Sequence, residues 1–408
     1  MSTPSPVRRW LPWLALLAGL AAHLGWMHAD GWPKVRNAGH GRDLASYYYA
    51  VKAADQGLNP YDKDTLSRLA RVEDTRAGVH PYFYPPPFLL TVLWVLPLTL
   101  MEAYHVWFWG DALWLLAAAL ALWWLVPRPA TLVAGAVVVA TFTPLYNNHV
   151  MGQANLPVFA LAAWGFALAE RDRPWSGGAL MGLACMMKMS PALLVLWWLV
   201  QGRWRPVAAA CGSAVLYSVM TLPLLDLQGQ WVFYRDILPG FSSGEYGGLS
   251  IPITLFGNHS IPNLWAQGFG LRAQMKGPAA LGASLTNLAA LVGVYWGLRG
   301  ARTDGLGRLC GAGALVVLML IVPVYAYEHH FVMMLLPLVA AAAAVADRRL
   351  GWGWGVVLAL AYLPLAWPLE QVKETALSMQ GPGRWLLQEA KFFAAVAVGL
   401  TCLIGARR

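Results

Sequence analysis

The chain has 408 residues, of which 58% are hydrophobic and only 12% are charged, where a soluble domain carries roughly twice that charged fraction. This excludes an ordinary soluble protein and describes a polytopic membrane protein, whose 22 tryptophans suit belts at two water–lipid interfaces. The formal net charge of +9 is not a nucleic-acid signal, because the arginines sit in short loops beside apolar spans, the pattern of cytoplasmic anchoring.

Arg8 and Arg9 precede an apolar stretch from Trp10 to Met27. No small-x-small cleavage site follows it, so an uncleaved first helix with a cytoplasmic N-terminus is expected rather than a signal peptide. The polar stretches Ala29 to Tyr82 and Asp226 to Gly277 mix Gly, Pro, aromatics and charges, and are expected to be folded loops rather than disordered linkers. In the first of them, GRDLASYYYAVKAADQGLNPYD, Asp43 opens a helix-compatible run that stops at Gly57 with Pro60 just beyond. A carboxylate on a short amphipathic helix at the membrane surface suits deprotonation of a lipid-linked substrate; the alternative is a solvated loop charge. Tyr82, Phe83 and Tyr84 then run into Pro85, Pro86 and Pro87, a stiff, donor-poor segment that either shapes an entry gate for a lipid chain or ends a loop.

Apolar windows place spans at Trp10–Met27, Ala103–Val126, Ala130–Tyr146, Asn155–Ala169, Pro206–Leu225, Leu281–Leu298, Arg308–Val324, Phe331–Ala346, Gly351–Leu369 and Leu386–Ile404. Two stretches are ambiguous: Phe88–Leu100, and Ser176–Val200, which is either one helix or a hairpin broken near Lys188, Ser190 and Pro191. A single crossing by the second would put one of the pairs Arg171/Arg173 and Arg203/Arg205 outside, against the positive-inside bias. Two half-spans meeting near Lys188 keep both pairs inside, and if Phe88–Leu100 stays at the outer face as a half-embedded helix, Arg128, Arg299, Arg302, Arg308, Arg348, Arg349, Arg407 and Arg408 fall inside as well. The expected fold is all-α, one transmembrane domain over residues 1–408 with about 12 spans, both termini inside, and juxtamembrane helices in loops 29–85 and 226–280 on the outer face. Cys185, Cys211, Cys310 and Cys402 lie in apolar runs with no metal-ligand spacing and read as buried free thiols.

This parity brings Asp43, the proline segment, the NNHVMGQAN turn, Lys188 and the EHH turn to one face. Lys188, deep in GLACMMKMSP, needs an anion or carbonyls around its ammonium: a lipid phosphate, or else a structural ion pair or a lysine snorkelling to an interface. No acidic residue lies within a helical turn of it in sequence. Glu328, His329 and His330 suit phosphate binding or acceptor orientation, or are interfacial residues at a helix N-cap. Gln153 and Asn155 suit sugar hydroxyls, with helix capping by Asn155 as the simpler reading. No Cys or carboxylate cluster at ligand spacing accompanies the histidines, so no metal is expected.

Taken in order, RDLASYYYAVKAADQGLNPYD, YPPPFLLTVLWVLP, GQANLPVF with GGALMGLACMMKMSP, and YEHHFVMMLLP resemble glycosyltransferase family 87 of the GT-C superfamily, with NHSIPNLW from Asn258 a fainter likeness. The resemblance spans roughly residues 40 to 340. It implies a GT-C-type bundle in a bacterial cytoplasmic membrane, with its active site on the outside. It also implies inverting transfer of a sugar, mannose by analogy, from a polyprenyl-phosphate carrier to a glycolipid or glycan. Asp43 matches the loop aspartate that serves as base, and Lys188 and His330 match polar contributors. His329, Gln153, Asn155, Tyr84 and Arg42 complete the expected substrate-binding set. The chain has one D-x-D spacing, Asp62-Lys63-Asp64 in the first loop; it is the resemblance that implies a lipid-linked rather than a nucleotide-sugar donor and no obligatory metal, and no cofactor is expected beyond the lipid-linked sugar as co-substrate, with the bilayer as surroundings and no nucleic acid as partner.

Two other classes compete. A lipid-linked sugar flippase needs a polar path through the bundle, whereas the polar groups here cluster at one face. An envelope polymerase or ligase is expected to depend on outer-face arginines, for which Arg42, Arg235 and Arg272 are candidates.

Overall fold

A computed structural model describes residues 6–38, 42–73, 79–243, 245–246, 249–272 and 274–408. Helix α1 (Pro6–Trp26) runs through a wide turn at Met27–Gly31 into α2 (Trp32–Ala38). The first apolar helix therefore extends to Arg36, well past the expected end at Met27. Asp30 and Lys34 pair one turn apart at 2.8 Å, which supports helix beyond the apolar stretch. Helix α3 (Arg42–Asp55) and α4 (Lys63–Val72) make up the first loop. Gly57 supplies a positive φ of 69° after α3, and the Asp62 side chain caps α4 through the amides of Asp64 and Thr65.

The triple proline leads only into the short α5 (Phe88–Thr91) and a single 3-10 turn at Leu93–Val95, so Phe88–Leu100 does not cross. Helix α6 (Leu100–Leu125) starts at a Thr99/Glu102 capping box. The expected span Ala130–Tyr146 is broken: α7 (Pro129–Thr141) meets α8 (Thr143–Met151) at a 58° bend. Pro144 has no N–H to continue α7 and restricts the residue before it. Next come α9 (Asn155–Glu170), α10 (Pro174–Met187), α11 (Ala192–Val200) and α12 (Trp204–Met220). Lys188 is extended, with φ −153° and ψ 126°, and ends α10; Pro191 starts α11. Where α10 crosses α12, a Cβ on Gly178 would lie 2.2 Å from the Pro206 carbonyl, and one on Gly182 would lie 2.4 Å from that of Ala210. Such small-residue contacts let membrane helices pack backbone to backbone.

The second loop holds α13 (Leu227–Val232), α14 (Leu238–Ser243), a two-residue hairpin pairing Glu245–Tyr246 with Leu249–Ser250, and α15 (Ile261–Gly268). Helices α16 (Gly277–Leu298) and α17 (Gly305–Ile321) follow. A 3-10 turn at Glu328–Met334 then leads into α18 (Leu335–Ala346). The chain ends in α19 (Trp352–Ala366), α20 (Leu369–Ser378), α21 (Gly381–Gln388) and α22 (Ala390–Arg407).

α17 is buried along nearly its whole length and packs against α18 and α22 at the centre. At the periphery, Leu281, Leu285, Leu288, Val292 and Trp296 make an exposed apolar stripe along α16, a surface that lipid covers. The molecule is an all-helical membrane protein apart from the small hairpin. Among the described residues five helices are long and apolar enough to cross a bilayer, or seven if each bent pair counts as one span. This is fewer than the expected twelve or so. Each of the ten predicted apolar segments contains a helix, but several helices are short: the 16 residues of α9 rise about 24 Å against a hydrocarbon core of about 30 Å. Cys310 and Cys402 are buried as expected, whereas Cys211 is exposed on α12.

One end of the bundle gathers the arginines. Arg203 and Arg308 both pair with Glu170, Arg302 and Arg349 pair with Asp304 at 2.8 Å, and Arg128 pairs with Asp347 at 2.8 Å. Glu170 ends α9 just before α10, and Arg203 follows α11. Both ends of the 174–200 segment therefore lie at this charged end, and the segment is a re-entrant hairpin with Lys188 at its tip.

Candidate functional site

Opposite the arginine-rich end, a cavity of about 1290 Å³ opens among the loops and helix ends. Asp43, Tyr84, Gln153, Lys188, His329 and His330 all line it. Residues from five separate stretches of sequence thus meet in one place, and Asn155 lies directly behind them.

The α8–α9 turn is the hub. Gly152 adopts the left-handed conformation, φ 65°, and a Cβ there would lie 2.8 Å from Leu44 Cβ. Glycine satisfies both demands and lets α3 dock its first turn, with Asp43, against the turn that carries Gln153. Tyr47, one turn along α3, donates from its hydroxyl to Tyr84 Oη at 2.7 Å, and the Tyr84 hydroxyl donates to Gln153 Oε1 at 3.1 Å. Burial and the Asp43 charge both push the Tyr84 phenol up, so it remains a donor. Gln153 Nε2 lies 3.2 Å from His329 Nε2. With the amide oxygen committed to tyrosine, the amide N–H donates to that ring nitrogen, which puts the His329 proton on Nδ1.

Asn155 is fully buried and does not cap α9, whose N-cap carries no side-chain bond. Its Nδ2 donates to the His329 carbonyl at 3.0 Å, and its Oδ1 accepts from Lys188 Nζ at 2.6 Å. The Lys188 ammonium, which has no acidic neighbour in sequence, therefore meets a neutral amide and also feels the Asp43 carboxylate through space. The same carboxylate acts on Tyr47, Tyr84 and Tyr104. His330 behaves differently from His329: its Nδ1 accepts the Tyr327 N–H at 3.3 Å, so it caps its own turn while lining the cavity. Arg42 begins α3, but its side chain lies outside the described residues. Arg235 pairs with the adjacent Asp236 at 2.7 Å, and neither it nor Arg272 lines the cavity. No group of three or more His, Cys, Asp or Glu placed to hold a metal occurs among the described residues.

The NHS segment clamps the strand of chain entering the EHH turn. Asn258 Nδ2 donates to the carbonyls of Ile253 and Val324 at 2.8 and 2.9 Å, Asn258 Oδ1 accepts from Ala326 N at 2.8 Å, and Ser260 Oγ donates to the Val324 carbonyl at 2.9 Å. The remaining cavity wall near α11 and α17 is apolar, with Leu193, Phe233, Leu238, Leu318, Met319 and Val322.

Three residues of this neighbourhood escape the sequence reading. Tyr47 carries a usable signal, because it stands one helical turn from Asp43. Lys391, an ionisable residue at the start of the last apolar run, pairs with Glu328 at 2.5 Å inside the bundle; a charge inside a predicted span is the signal. Asp30, which accepts the Tyr146 hydroxyl at 2.6 Å and lines the cavity, sits in sequence that resembles loop.

The sequence profile of glycosyltransferase family 87 matches residues 82–323, more than half of the chain. The match takes in Tyr84, Gln153, Asn155 and Lys188 and stops short of Asp43 on one side and of His329 and His330 on the other. No curated protein matches. With its ordered motifs drawn to one cavity of a helical membrane protein and a family match of this extent, the chain belongs to glycosyltransferase family 87 and is an integral-membrane glycosyltransferase.

Proposed function

We propose that the protein transfers a sugar, mannose by family analogy, from a polyprenyl-phosphate carrier to a glycan or glycolipid acceptor, with inversion, at the outer face of a bacterial cytoplasmic membrane. The observation that carries this reading is the Tyr84–Gln153–His329–Asn155–Lys188 network beside Asp43, in a cavity that also has an apolar wall near α11 and α17. A lipid-linked sugar has both characters: an apolar tail and an anionic phosphate ester. The Arg clusters at the far end support, by the positive-inside rule, a cytoplasmic side for that end and an outer side for the cavity.

In the reaction, the acceptor hydroxyl oxygen attacks the anomeric carbon from the face opposite the phosphate. Its proton passes to the Asp43 carboxylate. The bond between the anomeric carbon and the phosphate oxygen breaks, and polyprenyl phosphate leaves with the electron pair. Lys188 Nζ stabilises the negative charge that grows on the leaving phosphate, as fixed donors do best in a partly dry site. Asn155 holds the ammonium and Gln153 holds His329 in fixed orientations, so little reorganisation is needed during transfer.

Purified protein in nanodiscs, given polyprenyl-phosphate-mannose and a mixture of envelope glycolipids, is expected to release polyprenyl phosphate and form a mannosylated product. Donor binding without release would favour a lipid-linked sugar transporter.

A further inference from the structure

The cavity has a polar wall that the transfer chemistry leaves unused. Thr143, Tyr146 and Asn147, three and four residues apart on one face of α8, line it with Glu328 and Trp26. Glu328 is only 4% exposed. Its Oε1 accepts from Lys391 Nζ at 2.5 Å and from Thr143 Oγ1 at 3.3 Å, while its Oε2 is buried with no hydrogen-bond partner among the described residues. The Asn147 side chain is a further hydrogen-bond partner of the same carboxylate. Buried ion pairs are poor stability devices, since apolar residues of equal volume often serve as well or better. A carboxylate held at a cavity wall by a dedicated lysine, with one oxygen left over, is suited to accept a hydrogen bond from a molecule that enters.

The neighbouring surface indicates what kind of molecule that is. The Trp26 and Tyr146 rings stack at 4.4 Å and 20°, and the Tyr146 hydroxyl is pinned by Asp30, which is itself paired with Lys34. The wall therefore offers a fixed aromatic surface, a carboxylate oxygen and an amide, with its charges paired internally. Lys34, which lines the wall, and the buried Lys391 behind Glu328 are both already paired with carboxylates, which disfavours an anionic headgroup. A neutral saccharide ring matches it, with an apolar face for the rings and hydroxyls for Glu328 and Asn147.

We propose that this wall is an acceptor subsite that takes a neutral, hydroxyl-bearing saccharide ring, read by Glu328 and Asn147, while the donor phosphate occupies the Lys188 side of the same cavity. The inference rests on the transfer reading above. Glu328 is a positioning residue here: it fixes the ring so that another hydroxyl reaches the anomeric carbon.

The test uses the full-length protein in nanodiscs, polyprenyl-phosphate-mannose as donor, and octyl glycosides of mannose, glucose and galactose as acceptor probes. The variants are Asn147→Ala and the double variant Glu328→Gln with Lys391→Met, which removes both charges at similar volume. In each, the acceptor KM is expected to rise about tenfold, the loss of about 1.4 kcal/mol of binding, with the donor KM within about twofold of wild type as the wall does not touch the donor. The double variant is expected to keep its Tm; should it fail to fold, Asn147→Ala decides alone. Unchanged acceptor KM in folded variants, or a rise in donor KM instead, overturns the subsite. So does donor hydrolysis by the wild type with no transfer to any neutral glycoside. A wild type that neither hydrolyses nor transfers sinks the transfer reading itself.

Discussion

Lys188 Nζ lies 2.6 Å from Asn155 Oδ1, and Asn155 is oriented for that contact by a second bond from its Nδ2 to the His329 carbonyl. One buried amide therefore joins the tip of the re-entrant hairpin to the EHH turn. The ammonium is held by a neutral group, which positions it without neutralising it. Apart from the through-space attraction of the Asp43 carboxylate, that leaves its charge available to an incoming phosphate.

Lys188→Met is accordingly expected to weaken polyprenyl-phosphate binding at least about tenfold, the low end for a hydrogen bond to a charged group. Two effects on stability oppose each other: an ammonium no longer has to be desolvated, but Asn155 Oδ1 loses its donor. A Tm within a few degrees of wild type is expected. Lys188→Arg should rescue binding only in part, because a planar fork replaces a point charge. Lipid-phosphate binding and Tm measured on the same preparations check this; unchanged binding with a collapsed Tm would show a purely structural lysine.

Asp43→Asn keeps shape and hydrogen bonding while removing the base. Turnover is expected to fall at least about a hundredfold, as loss of a general base does, with expression and Tm intact. Near-normal turnover in this variant would end the assignment of Asp43.

Gln153 orients two partners, so its removal should cost more than the removal of either contact alone. Gln153→Leu leaves the Tyr84 hydroxyl and His329 Nε2 without their shared amide. Tyr84→Phe removes the bond to Gln153 and the acceptor of Tyr47, but Tyr47, 3.4 Å from Gln153 Oε1, remains as a donor to that oxygen. A fall in kcat of about tenfold or more is expected for Gln153→Leu, and a smaller one for Tyr84→Phe, each lost hydrogen bond contributing about 1 kcal/mol. Equal kcat in the two variants would argue against the amide as the orienting group.

Arginine placement alone makes the hairpin legible in the sequence. The two Arg pairs flanking residues 174–200 demand a return to the same side, and Arg203 beside Glu170 is that return. The re-entrant geometry predicts that cysteines introduced near Arg173 and near Gly202, in a background lacking native cysteines, react with a membrane-impermeant thiol reagent from one side only, and from the same side. Labelling from opposite sides would make 174–200 a single crossing.

Other features are legible only in part, for physical reasons. The start and stop of α3 follow from Asp43, Gly57 and Pro60, which are local signals. The break at Phe142 is signalled by Pro144 but outweighed by an unbroken apolar run on either side. The continuation of α1 past Met27 depends on an Asp30–Lys34 pair whose polar residues resemble loop. Asn155 reads as a cap because capping is local, whereas its real partners, Lys188 and His329, come from other elements of the fold. The Glu328–Lys391 pair joins positions 63 apart in sequence, and no periodicity reports such a contact.

Glu389, immediately before the last span, makes a pH-dependent tie between α22 and the second loop. Burial pushes its carboxyl up to about 7, against the opposing pull of hydrogen bonds from Gln267, Asn263 and Gln388. Gln267 Nε2 donates to Oε1 at 2.6 Å and Asn263 Nδ2 at 3.1 Å, while Oε2 is buried without a hydrogen-bond partner among the described residues. An acid whose pKa is raised on folding binds its proton more tightly in the folded state. Between the unfolded value near 4.5 and the folded value near 7, the native state therefore holds a proton that the unfolded chain has released. Stability contributed by this group is complete below that window, falls as pH rises through it, and is lost above pH 7, by an amount on the order of 3 kcal/mol at most. Glu389→Gln supplies a permanently neutral side chain of the same shape, with an N–H available in place of the acid proton. The variant is expected to melt higher than wild type at pH 8, to match it near pH 5, and to show a flatter dependence of Tm on pH in between. A wild-type slope that persists unchanged in Glu389→Gln would place the titration elsewhere in the molecule.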